Sequence, residues 1–279
     1  LLGIYMADDY ARESKRGGAW MSTYRDASNI RGDNVRPIVT NNLKVAMPAE
    51  GEPTLLTYDQ VETVFHEFGH ALHGLMTQVR YPRFSGTSGS PRDWVELPSQ
   101  FMEHYATDPE VLGVYAKHSE SGEVIPQELV DKVRAAATHN QGFKTTEYIA
   151  ASLLDMKWHD LAPKQAAAVE DVVKFEDEVL TAYGKPPMIE TRYRSPYFAH
   201  IFAGGYSAGY YAYLWSEILD ADGFTAFKET GDIFDPELAQ RLRDNVYQAG
   251  ASQDPAELYR QFRGQDPTIE PLLKIRGLN

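Results

Sequence analysis

Residues 64–73 read Val-Phe-His-Glu-Phe-Gly-His-Ala-Leu-His, and they hold the chain's best candidate for chemistry. Histidines four positions apart lie on one face of an α-helix, so His66 and His70 can offer their imidazoles to a single ion. Glu67 then sits beside that ion, where a carboxylate can take a proton from an activated water. At ordinary residue frequencies the pattern H-E-x-x-H arises by chance in on the order of one chain in a hundred of this length, so its context has to decide.

A catalytic zinc site needs a third protein ligand and keeps its fourth position for water. His73 returns to the same helical face, but three ligands from one short face crowd poorly around a tetrahedral ion; its other reading is a hydrogen-bonded role beside the site. Glu96, in Arg92-Asp93-Trp94-Val95-Glu96-Leu97-Pro98-Ser99-Gln100, is the better candidate. It follows a Gly/Ser-rich loop, 85–90, long enough for the chain to turn back antiparallel. Gln100 and Glu103 share its helical face, and either can orient a ligand imidazole, although Glu103 reads equally well as a solvated carboxylate. The chain has no cysteine, so metal chemistry must use His, Asp and Glu.

These residues need rigid elements to hold them. Val61, Val64, Phe65, Phe68, Leu72, Leu75 and Met76 form an apolar stripe at helical spacing, which predicts a helix over about 59–78 fixed against a core. The first fifty residues instead carry short β-branched and aromatic runs, 3–6, 19–24 and 35–40, broken by turn signals, and these predict a small sheet. Further helices are expected near 94–107, 126–139, 142–161, 168–183, 206–221, 236–249 and 254–263. Asp59 with Glu62, and Asp254 with Glu257, have capping-box spacing. No linker or repeat divides the chain, so residues 1–279 read as a single, mainly α unit: a sheet over about 1–50 and helices over about 57–279.

Composition narrows the function classes. With 40 acidic against 27 basic residues the formal charge is -13, which argues against a broad nucleic-acid or anionic-membrane surface. No apolar run approaches the ~20 residues that cross a bilayer.

The sequence resembles the thimet-oligopeptidase-like family of zinc metallopeptidases. The likeness rests on His66 to His73, on Phe84 to Thr87 and on Arg92 to Gln100. It is most similar to the bacterial peptidyl-dipeptidases, through residues 14–20, 153–159 (Leu-Leu-Asp-Met-Lys-Trp-His) and 192–202 (Arg-Tyr-Arg-Ser-Pro-Tyr-Phe-Ala-His-Ile-Phe). The resemblance implies a multi-helical, zincin-like catalytic domain holding one Zn2+ on His66, His70 and Glu96, with Glu67 as general base. Its substrates would be short peptides that lose C-terminal dipeptides. The loop after Thr87 is about one residue longer than in the family. Family members are also more than twice this long, and their channel has a second wall from an N-terminal helical half, which is a candidate partner for this chain. The bacterial cytoplasm, or the periplasm for exported relatives, is the compartment the resemblance implies.

Taken alone, residues 197–215 read as an aromatic helix start after a flexible Gly204-Gly205 turn, a pattern that ordinarily means packing. The resemblance assigns more. It makes His200 and Tyr213 donors to the oxyanion and Tyr206 and Tyr210 substrate contacts, on a loop the glycines allow to close. Arg192, Arg194 and Tyr210 are candidates to hold a peptide's terminal carboxylate, with ion pairing as the other reading of each arginine. Two rival activities stay open: an endo-acting oligopeptidase of the same family, and a zinc-binding half without turnover. A helical binding protein with structural histidines is the reading that metal analysis would separate from these.

Overall fold

The computed structural model describes residues 1–278. Among them lie three strands, β1 (Ile4–Tyr10), β2 (Trp20–Arg25) and β3 (Ile38–Val45), followed by thirteen α-helices. The helices are α1 (Tyr58–Met76), α2 (Gly86–Gly89), α3 (Leu97–Ala106), α4 (Pro109–Tyr115), α5 (Gln127–Ala137), α6 (Gln141–His159) and α7 (Pro163–Ala167). They continue with α8 (Val172–Ala182), α9 (Ala199–Phe202), α10 (Ala212–Thr230), α11 (Pro236–Leu242), α12 (Pro255–Arg263) and α13 (Glu270–Arg276). No helix among the described residues is long and apolar enough to cross a membrane. The fold is the expected one: mainly helical, with one small sheet at its N-terminal side.

The sheet runs in the order β1-β3-β2, with β1 parallel and β2 antiparallel to β3. In β3 the alternate residues Val39, Asn41, Leu43 and Val45 are buried, and this strand packs on α1. Alternation with period two is what puts one strand face against the helix.

Leu72 and Met76 of the apolar stripe on α1 pack, half-buried, against the main core, but the positions this helix buries fully are others. Its buried positions are Glu67, Gly69, Ala71, His73 and Gly74, whereas Phe68 is 37% exposed and meets Tyr5 edge-to-face at 5.6 Å. Small residues let two neighbours approach closely. A Cβ on Gly69 would lie 2.4 Å from the Pro98 carbonyl oxygen of α3, and one on Gly74 would lie 2.9 Å from Val39 of β3. The start of α1 also differs from the expectation: Thr57 is the cap, accepting from the Gln60 amide at 3.3 Å while Gln60 reaches back to the Thr57 amide. The Asp254 cap of α12 is present, accepting from Ala256 and Glu257.

The main core lies beside α3. Phe101, Phe224, Phe227, Leu238 and Phe262 pack there with Trp94, joining α3 to α10, α11 and α12. This core fixes the direction in which α3, and the turn before it, presents side chains to α1.

The expected 206–221 helix begins only at Ala212. Residues 204–211 form a turn-rich loop, pinned by Asp155 of α6, whose carboxylate accepts from the Ala208 and Tyr210 amides at 2.9 and 2.8 Å. Ala208 sits there at φ 51°. A carboxylate drawn from a distant helix outweighs the helical preference of an aromatic and alanine-rich stretch.

Candidate metal centre

The site forms where α1 crosses the turn that opens α3. Residues Pro91 to Leu97 wind through backbone hydrogen bonds from Trp94 and Val95 to Pro91, and Leu97 to Trp94. The turn places Glu96 immediately before the first helical residue, with its side chain 3% exposed. From that position Glu96 Oε2 meets His66 Nε2 at 3.3 Å and His70 Nε2 at 3.1 Å. His66, His70 and Glu96 thus bring three ligand atoms within 4.8 Å of one another, a group able to hold a metal ion.

The donor set and spacing fit zinc. An ion bonded tetrahedrally to nitrogen and oxygen at ~2.05 Å has ligands about 3.3 Å apart, close to both observed separations. His66 Nδ1 donates to Glu103 Oε1 at 2.6 Å, which fixes the tautomer and leaves the Nε2 lone pair for a cation. Gln100, the alternative orienting residue, does not make this contact. Ser99 Oγ donates to Glu96 Oε2 at 3.0 Å, and the Tyr206 hydroxyl donates to Glu96 Oε1.

Electrostatics tell the same story. Burial opposes charge on Glu96, yet the imidazoles of His70 and His66 hold its carboxyl well below the usual carboxylate range. Burial would likewise lower His66, but Glu103 and Glu96 hold it well above an ordinary histidine. Carboxylates converging on imidazoles in a buried place favour positive charge among them, which a protonated imidazole or a divalent cation would supply. Burial raises the carboxyl of Glu67, whose Oε2 is buried with no partner from the chain.

Two cavities meet over this centre. One, of about 630 Å³, is lined by Trp20, Thr87 and Arg92 together with Glu67, His200 and Tyr213. The other, of about 660 Å³, is lined by Arg192 and Tyr210, with His66, His200 and Tyr213 again on its wall. His200 and Tyr213 therefore stand between the two, their rings 6.3 Å apart. Burial, aided by Arg192, lowers His200, and burial raises Tyr213, so both surroundings favour the uncharged form.

The remaining residues named from the sequence divide. Tyr206 stacks on Tyr213 at 5.1 Å, and its hydroxyl is engaged by Glu96 rather than free for a substrate. Tyr210 is 3% exposed, stacked on Tyr148. Arg192 reaches the second cavity and makes no ion pair among the described residues. Arg194 does not reach either cavity: its guanidinium is held by Glu176 at 3.1 Å, Asp177 at 3.7 Å and Glu190, so the expectation of a substrate role is corrected to ion pairing. His73 is fully buried without a hydrogen-bond partner from the chain and takes no part in the ligand group. Asp155, which sets the Tyr206–Tyr210 loop, escaped the reading of single residues; its only signal was its place within the Leu153–His159 motif.

A family model described as Peptidase family M3 matches residues 1–278. The dipeptidyl carboxypeptidase of Escherichia coli K12 is 47% identical over 279 residues, covering 100% of this chain and 40% of that protein. Oligopeptidase A of the same organism is 39% identical over 281 residues, covering 100% of this chain and 41% of that protein. The chain thus spans about two fifths of the length of the curated relatives it matches. Among solved structures, "The Structure of CHT" shares the fold with a TM-score of 0.56 at 13% identity, over 98% of this chain and 54% of that one.

Proposed function

This chain belongs to peptidase family M3, and from that premise we propose that it is the catalytic part of a zinc metallopeptidase that releases C-terminal dipeptides from short peptides. The observation that carries the reading is the convergence of His66 and His70 Nε2 on Glu96 Oε2, with the unpartnered Glu67 carboxylate buried alongside. When bound, one Zn2+ supplies Lewis acidity that polarises the scissile carbonyl and makes water nucleophilic near neutral pH.

The chain's own residues do the rest. Glu67 Oε2 takes the proton of the attacking water and later delivers it to the leaving amine nitrogen; its raised carboxyl suits it to hold that proton in between. The Tyr213 hydroxyl and a ring N–H of His200 donate to the oxygen where negative charge develops. Glu103 and Ser99 keep the ligand side chains aimed.

Dipeptide release needs a group that holds the substrate's terminal carboxylate two residues beyond the scissile bond, about 7 Å along extended backbone. Arg192 is the supporting feature: a cation without a carboxylate partner among the described residues, on the wall that His66 and His200 share. Oligopeptidase A is similar to this chain as well, so an endo-acting oligopeptidase is the second reading. Short peptides with free and amidated C-termini separate the two, because amidation abolishes cleavage only where the carboxylate is held. A separate N-terminal helical half of the kind family members carry is a candidate partner, tested by assaying the chain with and without it.

Replacing Glu67 with Ala tests the base. Zinc content should stay at one ion per chain while hydrolysis falls by at least 100-fold, the scale of a lost proton-transfer group. Retained hydrolysis would refute the assignment of Glu67.

A further inference from the structure

Arg92 stands four residues before Glu96 on the tight turn that opens α3, and it lines the first cavity with no ion pair or side-chain hydrogen bond among the described residues. Its contacts are with the Gly204–Gly209 loop. The guanidinium carbon lies 4.4 Å from the centroid of the Tyr206 ring. Gly205, at φ 83°, brings its backbone so near that a Cβ there would lie 3.0 Å from Arg92 Nη2, and one on Gly209 would lie 3.3 Å from Arg92 Cγ. Tyr206, held in this way, donates its hydroxyl to Glu96 Oε1, the carboxylate oxygen that does not face the imidazoles.

We propose that Arg92 is a positioning residue that clamps Tyr206 onto Glu96, so that the glycine-rich loop and the metal carboxylate move as one unit. The inference rests on the reading of His66, His70 and Glu96 as zinc ligands. Its physical content is a chain of three contacts: a cation on the ring face, a phenol O–H on a carboxylate oxygen, and the other oxygen left for the ion. Arginine suits the first contact because its planar, weakly hydrated head stacks on an aromatic face while a compact ammonium does so less well. The glycines serve that stacking, since a side chain at 205 would crowd the guanidinium and one at 209 would crowd the aliphatic stem that carries it.

The coupling must run both ways. If the docked loop strengthens zinc binding, zinc must favour the docked loop by the same factor. Anything that lifts the loop, including a bulky substrate in the first cavity, would then loosen the metal.

The test uses the whole chain, with zinc affinity measured by competition against a chelating dye and amide exchange followed over residues 204–209 with and without zinc. Tyr206→Phe and Arg92→Leu should each weaken zinc binding 10- to 100-fold, the range found when a group supporting a metal ligand is removed. The double variant should be no weaker than Tyr206→Phe alone, because both act through one contact. Arg92→Lys should recover part of the affinity, and it keeps the test decisive if Arg92→Leu folds poorly. In the wild type zinc should slow exchange in the loop, and in Tyr206→Phe it should not. Unchanged affinity in the Arg92 variants, or multiplicative losses in the double variant, overturns the clamp while leaving the zinc site standing. A wild-type chain that takes up no zinc overturns the metal reading, and the clamp with it.

Discussion

Replacing Gly69 with Ala puts a single methyl group where α1 and α3 touch. That carbon would lie 2.4 Å from the Pro98 carbonyl oxygen, 2.6 Å from Ser99 Cα and 3.0 Å from the Pro98 carbonyl carbon. All three are backbone atoms, so no side chain can swing away. Relief to an ordinary contact near 3.4 Å requires the helices to part by roughly 1 Å. Two terms then oppose each other. Alanine favours the helix interior by ~0.8–1 kcal/mol over glycine, whereas overpacking of this kind costs ~1–3 kcal/mol, so the net loss is about 0–2 kcal/mol. At ~2–4 °C per kcal/mol for a chain of this size, the melting temperature falls by no more than about 8 °C.

The larger effect is on the metal. Glu96 lies two residues before Pro98, and its Oε2 stands 3.1 and 3.3 Å from the two imidazole nitrogens. Parting the helices by ~1 Å exceeds the ~0.2 Å tolerance of a well-formed site several-fold. Zinc affinity should therefore drop at least tenfold, a loss out of proportion to the modest loss of stability. Gly113→Ala in α4 is the control, because a Cβ there meets nothing within 4 Å and should stabilise with no change in zinc binding. Thermal unfolding and chelator competition on both variants decide the matter. If Gly69→Ala matches the control, with a raised melting temperature and full zinc affinity, the close approach of α1 to α3 is not what sets the ligand geometry.

Tyr213→Phe should lower kcat by about 100- to 1,000-fold with KM little changed, since its hydroxyl is assigned to charge that develops after binding; an equal rise in KM would move Tyr213 to ground-state binding. Arg192→Met should raise KM at least tenfold for peptides with a free C-terminus and leave amidated ones unaffected, which steady-state kinetics on the two series will show. His73, fully buried, is pushed down to about 3 by burial and by the His70 imidazole, so the folded chain stays unprotonated there at a pH where the unfolded chain binds a proton. Stability present above the unfolded value near 6.5 is lost as pH falls toward 3, by about 2 kcal/mol at pH 5; urea unfolding of His73→Leu should lose that much less than the wild type between pH 7 and 5, and an identical pH dependence would refute it.

Much of this molecule was legible in its sequence because the relevant rules are local. Short β-branched and aromatic runs broken by turn signals announced the sheet, and helical spacing located α1 and α6 to within a few residues, though not α10. The pair His66 and His70 is a property of one helix, so four-residue spacing suffices to place both on a face. Glu96 was legible for a second reason: a turn-rich loop and a new helix had to bring a carboxylate back, and the donor inventory contained no cysteine to compete.

What sequence spacing does not carry is the distance between elements. The large apolar residues of α1 pointed to a core contact that Leu72 and Met76 make, yet its closest approaches are set by Gly69 and Gly74, whose small size allows α3 and β3 to come within touching range. The start of α10 was misplaced for the same kind of reason, since Asp155, about fifty residues upstream, captures two amides that a helix would otherwise have used. Tyr206 shows the consequence for function. As one aromatic among many it reads as packing or as a substrate contact, and only the approach of three separate segments turns its hydroxyl toward Glu96 and its ring toward Arg92. Ligands can be read from a periodic motif because one helix supplies their geometry; the groups that aim those ligands come from wherever the fold delivers them, so they become visible only when the packing does.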